Sequence, residues 1–263
     1  MHRSASQAEG FPRCPKAYEL KRIRGVDELP AAWSIQGSAF HKAAEAYERS
    51  MRTMTVYQAQ EVFDATWHEL LAKAKEQQPN LGMWLRGGRK STESDIVERY
   101  AAGLGQVSDY IDFTHHEPWV PWELPDGRPA TEVGFRTEIG GVLMVGYIDL
   151  ILEDPWTGEV RVRDLKTGSK VPYTPLQLVI YGRAVEQVFG VRVRRGDYYM
   201  ARDAAPTEPI DLDRFGDELL EEWLVGMDVM ERAGREAGAY PPSPSADTCW
   251  TCAVKHRCPV PTN

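Results

Sequence analysis

The sequence lacks any long apolar run. No stretch of 18 or more apolar residues occurs among its 263 positions, which argues against a transmembrane helix. The opening residues, MHRSASQAEGFPRC, contain no apolar segment of the kind found in secretory signals. We therefore expect a cytoplasmic protein that does not associate with a membrane. Thiols stay reduced in that compartment, so disulfides are disfavoured as an explanation for its four cysteines.

An excess of positive charge is also lacking. The formal net charge is −8, which disfavours a broad electrostatic grip on nucleic acid. Any contact with DNA must therefore be local, with a metal ion offsetting acidic groups. The hydrophobic content of 42% is that of a globular chain, and 263 residues are enough for one large domain with an elaborated insert.

Residues 131–166 are expected to form three successive strands. Gly140 and Gly141 suit a tight hairpin turn, and residues 154–158 suit a second turn. Between these turns apolar and polar residues alternate, which predicts a half-buried strand. The residues predicted to share its apolar face are Val142, Met144, Gly146, Ile148, Leu150 and Leu152.

Two carboxylates and a lysine are placed close together by this pattern. Asp149 lies on the polar face of one strand, while Asp164 and Lys166, two residues apart, share a face of the next. One interpretation is a surface salt bridge. The other is a site in which Asp149 and Asp164 bind Mg²⁺ or Mn²⁺ and Lys166 steadies an attacking water or the charge on a scissile phosphate.

Helical spacing predicts helices at about 34–50, 56–77, 93–112, 174–189 and 213–236, with residues 48–115 as a helical insert. His41 lies beside the apolar stripe of the first of these helices, where it is either a hydrogen-bonded histidine at the core edge or a metal ligand. The glycine-rich stretch 81–90 is either a loop whose exposed-looking Trp84 stacks on single-stranded DNA or a flexible connector.

Four short blocks, in order and with matching spacing, resemble a known family. The four blocks are Gly37-Ser38-Ala39-Phe40-His41, Gly146-Tyr147-Ile148-Asp149, Asp164-Leu165-Lys166-Thr167-Gly168 and Gln177-Leu178-Val179-Ile180-Tyr181. They look like the GxxxH, GxxD, (D/E)xK-TG and QxxxY blocks of the RecB-like branch of the PD-(D/E)xK nucleases. The resemblance covers nearly the whole chain, except for residues 48–130.

This resemblance implies an α/β fold with a restriction-endonuclease-like core, in which a central mixed sheet of four or five strands is flanked by helices. It implies metal ligation by His41, Asp149, Asp164 and the carbonyl of Leu165. Lys166 would act in catalysis, with Gln177 and Tyr181 lining the cleft. Glu132 ranks below these, although the family often carries a glutamate near that point.

The implied activity is hydrolysis of DNA by a metal-dependent exonuclease, with single strands or free ends as the expected substrate. DNA repair, recombination or CRISPR adaptation are the processes it implies, with a helicase or a CRISPR integrase as a partner. The alternative of another class is a catalytically silent protein that binds DNA ends while keeping the nuclease fold.

The cysteines form a second group. Cys249, Cys252 and Cys258 follow the pattern C-x2-C-x5-C, and Cys14 stands alone near the start. Four thiolates in a reducing compartment predict a zinc ion or a [4Fe-4S] cluster, and His256 would permit a Cys3His zinc site. The spacing leaves both open, so a zinc-stapled structural or interaction domain is a further alternative.

The arrangement of one cysteine before the nuclease core and three after it is similar to that of the iron-sulfur members of the RecB-like branch, such as AddB and the CRISPR-associated exonucleases. The resemblance therefore implies a [4Fe-4S] cluster bound by all four cysteines. It also implies that residues 1–25 and 238–263 form an iron-sulfur subdomain within a single nuclease domain spanning residues 1–263.

Overall fold

A mixed β-sheet with helices on both faces runs through the computed structural model, which describes residues 2–260. The predicted α/β class, with a central mixed sheet flanked by helices, is confirmed. The described residues contain more strands than the four or five expected, because short strands extend the edges. The strands are β1 (His2–Arg3), β2 (Val120–Pro121), β3 (Thr131–Ile139), β4 (Val142–Glu153), β5 (Val160–Lys166), β6 (Arg195–Met200), β7 (Ala205–Pro206) and β8 (Ile210–Asp211).

Strand β4 is the centre of the sheet. It pairs antiparallel with β3 through the predicted hairpin, whose Gly140 and Gly141 have φ of 56° and 76°. It also pairs antiparallel with β5, where Leu150 faces Arg163, and β5 in turn pairs in parallel with β6. The carboxyl end of β5, from Asp164 to Lys166, pairs with β6, while its register with β4 ends at Arg163.

Eight α-helices are assigned within residues 2–260. They are α1 (Ala5–Arg13), α2 (Pro15–Tyr18), α3 (Ala32–Arg49), α4 (Val56–Gln77), α5 (Thr92–His116), α6 (Leu176–Phe189), α7 (Asp217–Ala237) and α8 (Ala246–Trp250). Thr55 and Gln58 form a capping box at the start of α4. Gly190, with φ of 72°, ends α6 at the predicted place. None of the described helices is both long and apolar enough to cross a membrane.

Two apolar cores cover the two faces of the sheet. Helices α1, α6 and α7 pack on one face, and helices α3, α4 and α5 pack on the other. Residues 48–115 supply α4 and most of α5, so the stretch without a recognisable motif builds most of one helical layer. The designation of residues 48–115 as an insert stays a prediction. The terminal iron-sulfur subdomain also stays a prediction, and its Met1 and residues 261–263 lie outside the described residues.

Strand β4 changes its inward face at Asp149. Before it, Met144 and Ile148 pack with α1, α6 and α7; after it, Leu150 and Leu152 pack with α3, α4 and α5. The single apolar face predicted for residues 142–152 is therefore wrong beyond Ile148. Opposite the switch lies Glu132 of β3, whose backbone is left-handed. This conformation interrupts the pairing of β3 and β4 at that point. A strict two-residue period cannot anticipate such an interruption.

Two further expectations about burial are wrong. Trp84 is only 3% exposed: it packs with the core of α3, α4 and α5, and its indole N–H donates to the Gln78 carbonyl at 2.8 Å. It is therefore no stacking platform for DNA. Leu219 and Met230, predicted in the buried stripe of α7, are exposed, whereas Glu231 is buried because Arg3 forms an ion pair with it.

Candidate functional site

His41, Glu132 and Asp149 bring three ligand atoms to one point. The Nδ1 atom of His41 lies 3.5 Å from Asp149 Oδ2 and 3.9 Å from Glu132 Oε1. One such atom from each residue lies within 4.8 Å of the other two. No other group of three histidine, cysteine, aspartate or glutamate residues between positions 2 and 260 is that close. Nitrogen and carboxylate oxygen at this spacing suit a divalent cation.

Helix α3 holds the histidine at the edge of its core. Phe40 is fully buried in the core of that face, and the next residue, His41, keeps 31% of its side chain exposed. Gly37, one turn earlier, allows the helix to approach the loop after β5: a Cβ atom there would lie 3.1 Å from Thr167 Oγ1. In the GxxxH block, Gly37 therefore allows the close contact between α3 and the loop after β5, and His41 supplies the imidazole one turn later.

Glu132 has a strained backbone. Its φ of 48° is in the left-handed region, which is uncommon for a residue with a side chain, and it falls opposite the face switch at Asp149. The two carboxylates thereby both reach His41, although they belong to different strands. The sequence pattern alone places Glu132 below the other ligands, and only the backbone geometry shows that it joins His41 and Asp149.

Asp164 and Lys166 lie at the carboxyl end of strand β5. Lys166 Nζ lies 2.7 Å from Asp164 Oδ2, and Asp164 is almost fully buried. The Lys166 ammonium is therefore the charged partner of this buried oxygen. The Leu165 N–H donates to Asp149 Oδ2 at 2.8 Å and joins the two acidic strands.

Helix α6 fixes the lysine. Lys166 Nζ donates to Gln177 Oε1 at 2.9 Å, and Gln177 Nε2 donates to the Tyr181 hydroxyl at 2.7 Å. Gln177 and Tyr181 are one helical turn apart, as the QxxxY spacing predicts. The ammonium also lies 5.8 Å from the centroid of the Tyr198 ring. These contacts hold the lysine beside Asp164.

The site carries more negative charge than its own cations neutralise. Burial, and next the Asp149 carboxylate, raise the pKa of Asp164 to about 7 against the opposing effect of Lys166. Burial also raises the pKa of Asp149. Burial by itself disfavours a charged His41, but the neighbouring carboxylates outweigh it and raise the pKa of His41 to about 9. A cluster that retains protons in this way is suited to a cation.

A comparison with protein families matches this architecture. The profile of the PD-(D/E)XK nuclease superfamily matches residues 2–259, which is nearly the whole chain. The chain belongs to the PD-(D/E)XK nuclease superfamily. Membership in this nuclease family implies a metal-dependent nuclease that acts on nucleic acid, and the His41, Glu132 and Asp149 cluster is its possible metal site.

Two phage proteins are similar to this PD-(D/E)XK nuclease over almost their full length. The Gene 69 protein of Mycobacterium phage D29 is 36% identical over 268 residues, covering 98% of this chain and 96% of the relative. The Gene 69 protein of Mycobacterium phage L5 is 34% identical over 285 residues, with the same coverage. Their names state no activity.

The four cysteines of the nuclease, all free thiols, line one small cavity. Cys14 precedes α2, and Cys249, Cys252 and Cys258 come from α8 and the turn that follows it. Burial raises the pKa of Cys252, and the other three thiols act in the same direction. Residues from both ends of the chain complete the lining, including Leu20, Pro242 and Val260. The Leu29 N–H donates to the Ala253 carbonyl at 2.8 Å and ties the two segments together.

Proposed function

We propose that this protein is a divalent-metal-dependent deoxyribonuclease that acts as an exonuclease on single-stranded DNA or on free DNA ends. The observation that carries the proposal is the convergence of four acidic or imidazole groups beside one fixed lysine, within a chain that belongs to a nuclease superfamily. DNA repair, recombination and CRISPR adaptation stay the predicted processes, and a helicase or a CRISPR integrase stays the predicted partner.

The donor set fits Mg²⁺ or Mn²⁺. His41, Glu132 and Asp149 offer their clustered atoms, and Asp164 offers a buried carboxylate that is paired with Lys166. The carbonyl of Leu165 is a further proposed ligand, carried over from the resemblance. A bound divalent cation would lower the pKa of a water molecule and offset the charge that develops on the phosphate.

Lys166 is proposed to position the attacking water or the scissile phosphate. Its ammonium keeps one contact to Asp164 and one to Gln177, and this chain of polar contacts continues to Tyr181. An ammonium held in this way stabilises developing negative charge without reorganising during the reaction. Gln177 and Tyr181 act through the lysine and are positioning residues.

Lys166→Ala tests this assignment. Cleavage of a labelled single-stranded oligonucleotide in Mn²⁺ should fall by about 10²- to 10³-fold, the range found when one stabilising donor is removed from an active site. Circular dichroism and DNA binding should stay unchanged. The matched control is Lys73→Ala, an exposed lysine on α4, which should cleave like the wild type. Chelation by EDTA should stop the wild-type reaction.

The alternative of a catalytically silent DNA-end-binding protein makes the opposite prediction. The wild type would then bind the oligonucleotide without degrading it in Mg²⁺ or Mn²⁺. Near-normal cleavage by Lys166→Ala would instead mean that hydrolysis occurs but that the lysine has been assigned wrongly.

We also propose that the cysteines hold a [4Fe-4S] cluster. The cavity collects all four thiols, while the exposed His256 lies outside its lining, which argues against a Cys3His zinc site. A tetrahedral zinc ion with bonds of about 2.3 Å would draw its sulfur ligands to about 3.8 Å from one another. Between residues 2 and 260 no three cysteine sulfurs come within 4.8 Å of one another, which is wider than the spacing around a zinc ion.

Anaerobic purification separates the two metals. A [4Fe-4S] cluster should give a brown protein with absorption near 400 nm and about four iron atoms per chain. A colourless protein with one zinc and no iron would support the zinc-stapled alternative.

A further inference from the structure

A surface that joins the catalytic loop to the cysteine segment combines exposed aromatic rings with unpaired cations. The loop 167–173 leaves the catalytic end of β5, and its Lys170 Nζ lies 3.8 Å from Asp247 Oδ2 on helix α8. Tyr173 at the end of that loop is fully exposed, and Trp250 at the end of α8 is 56% exposed. Two large rings therefore stand in solvent on segments that touch each other.

Cations surround the second ring. Lys255 Nζ lies 5.8 Å from the Trp250 ring centroid and donates to the Trp250 carbonyl at 3.2 Å. Arg13 and Arg22 line a cavity of about 360 Å³ together with Thr248 and Thr251, which flank Trp250 in sequence. Arg13, Arg22 and the exposed Arg257 form no ion pair with any residue between positions 2 and 260.

The charge of this region is opposite to that of the whole chain. Residues 1–25 contain six lysines or arginines and two acidic residues, in a protein whose net charge is −8; Arg13 and Arg22 are the two of these cations that form no ion pair with a described residue. Such a local basic region attracts a polyanion while the remaining surface repels it. Aromatic faces accept any base and adjacent cations follow the phosphates, which is the chemistry that binds single-stranded DNA without sequence preference.

We propose that Tyr173 and Trp250 stack on bases of a single-stranded DNA segment that extends from the catalytic cleft across helix α8, with Lys170, Lys255 and the unpaired arginines beside its phosphates. This inference rests on the proposed nuclease function, because it supplies the substrate path to Lys166. It also replaces Trp84, which is buried, as the source of base stacking.

Binding without metal tests the surface separately from catalysis. Fluorescence anisotropy of a labelled oligothymidylate of about 20 nucleotides, in EDTA, should show at least about a fivefold loss of affinity for Tyr173→Ala, since stacking on one aromatic residue contributes that much or more. Tyr173→Phe should bind like the wild type, because the ring remains. Trp156→Ala is the matched control: this ring is 89% exposed, but it lies at the other end of β5, about 20 Å from the catalytic end at the usual rise per residue.

Two further variants sharpen the result. Trp250→Ala should weaken binding to the same extent, and its iron content and absorption near 400 nm show whether the cysteine site beside it is intact. Lys170→Ala should lower the slope of log affinity against log salt concentration by about 0.7, as expected for one lost phosphate contact on a single strand.

Each outcome has a defined meaning. Affinities of Tyr173→Ala and Trp250→Ala within twofold of the wild type overturn this proposal and leave the nuclease assignment standing. A loss of affinity in both, together with a wild type that degrades no DNA in Mn²⁺, supports the surface and overturns the nuclease. A wild type that does not bind single-stranded DNA at all overturns the proposal, and the surface then belongs to another partner.

Discussion

The proposed catalytic cleft and the cysteine cavity are assembled from different kinds of contact. Three of the four acidic or imidazole groups in the cleft, Glu132, Asp149 and Asp164, lie on paired strands whose register brings them together. The cysteine cavity instead joins residue 14 to residues 249–258, so nearly the whole chain lies between its two halves. One site depends on hairpin register, and the other on closure of the chain ends.

Because of this difference, substitutions at the two sites should have different effects on activity and stability. A change in the cleft removes a group from a framework that the sheet still holds, so activity falls while the fold survives. If the proposed cluster is bound, a change at the cysteines opens a loop of more than 200 residues and releases both ends of the chain. The cleft should therefore fail in function, and the cysteine site should fail in stability.

The largest effect is expected for Cys14→Ala. Loss of its single N-terminal ligand should release the proposed cluster and remove the crosslink that this cluster would supply, which by loop-closure estimates is worth about 5 kcal/mol, comparable to the whole stability of many domains. We expect little soluble protein, no iron and no cooperative thermal transition. Thr251→Ala, an exposed neighbour of Cys252, is the control and should keep iron and melting temperature. A folded, iron-containing Cys14→Ala protein would show that Cys14 is not needed to bind the metal or to link the two ends of the chain.

An intermediate effect is expected for Glu132→Gln. Because this carboxylate shares its position with His41 and Asp149, its loss should raise the Mn²⁺ concentration for half-maximal cleavage by about 10- to 100-fold, the range known for weakened metal sites. The melting temperature should stay within a few degrees.

Glu138→Gln is the matched control for that substitution. It removes the same charge from an exposed position on the same strand, and its Mn²⁺ dependence should equal that of the wild type. An unchanged Mn²⁺ requirement in Glu132→Gln would remove this glutamate from the metal site and return it to a purely structural role.

The smallest effect is expected for Gly37→Ala. The added methyl group would lie 3.1 Å from Thr167 Oγ1, so the loop after Lys166 must shift by a few tenths of an ångström. We expect a cleavage rate a few-fold lower, restored in the double variant Gly37→Ala, Thr167→Ala, which removes the contacted atom. Additive losses in the double variant would contradict this explanation.

Gly105→Ala is the control for helix propensity. This glycine lies in α5, and an added Cβ would meet no atom within 4 Å. The substitution should stabilise the protein by up to about 1 kcal/mol without changing the cleavage rate. Together the two glycines separate a gain in helix stability from a displacement of the catalytic loop.

The local patterns of the sequence determined a large part of this molecule. Glycines at 140 and 141 predicted the hairpin, the two-residue spacing of Asp164 and Lys166 placed both on one face of a strand, and the four-residue spacing of Gln177 and Tyr181 placed both on one face of a helix. Such features follow from backbone periodicity and turn chemistry, which act over a few residues.

Only the tertiary structure decided the rest. It brought Glu132 to His41 through a left-handed backbone residue, reversed the faces of β4 at Asp149, and buried Trp84 although its neighbours are those of an exposed loop. It also brought Cys14 to the three C-terminal thiols. Each of these outcomes depends on how distant elements pack against one another, and the periodicity of a single segment contains no information about the surface that will cover it.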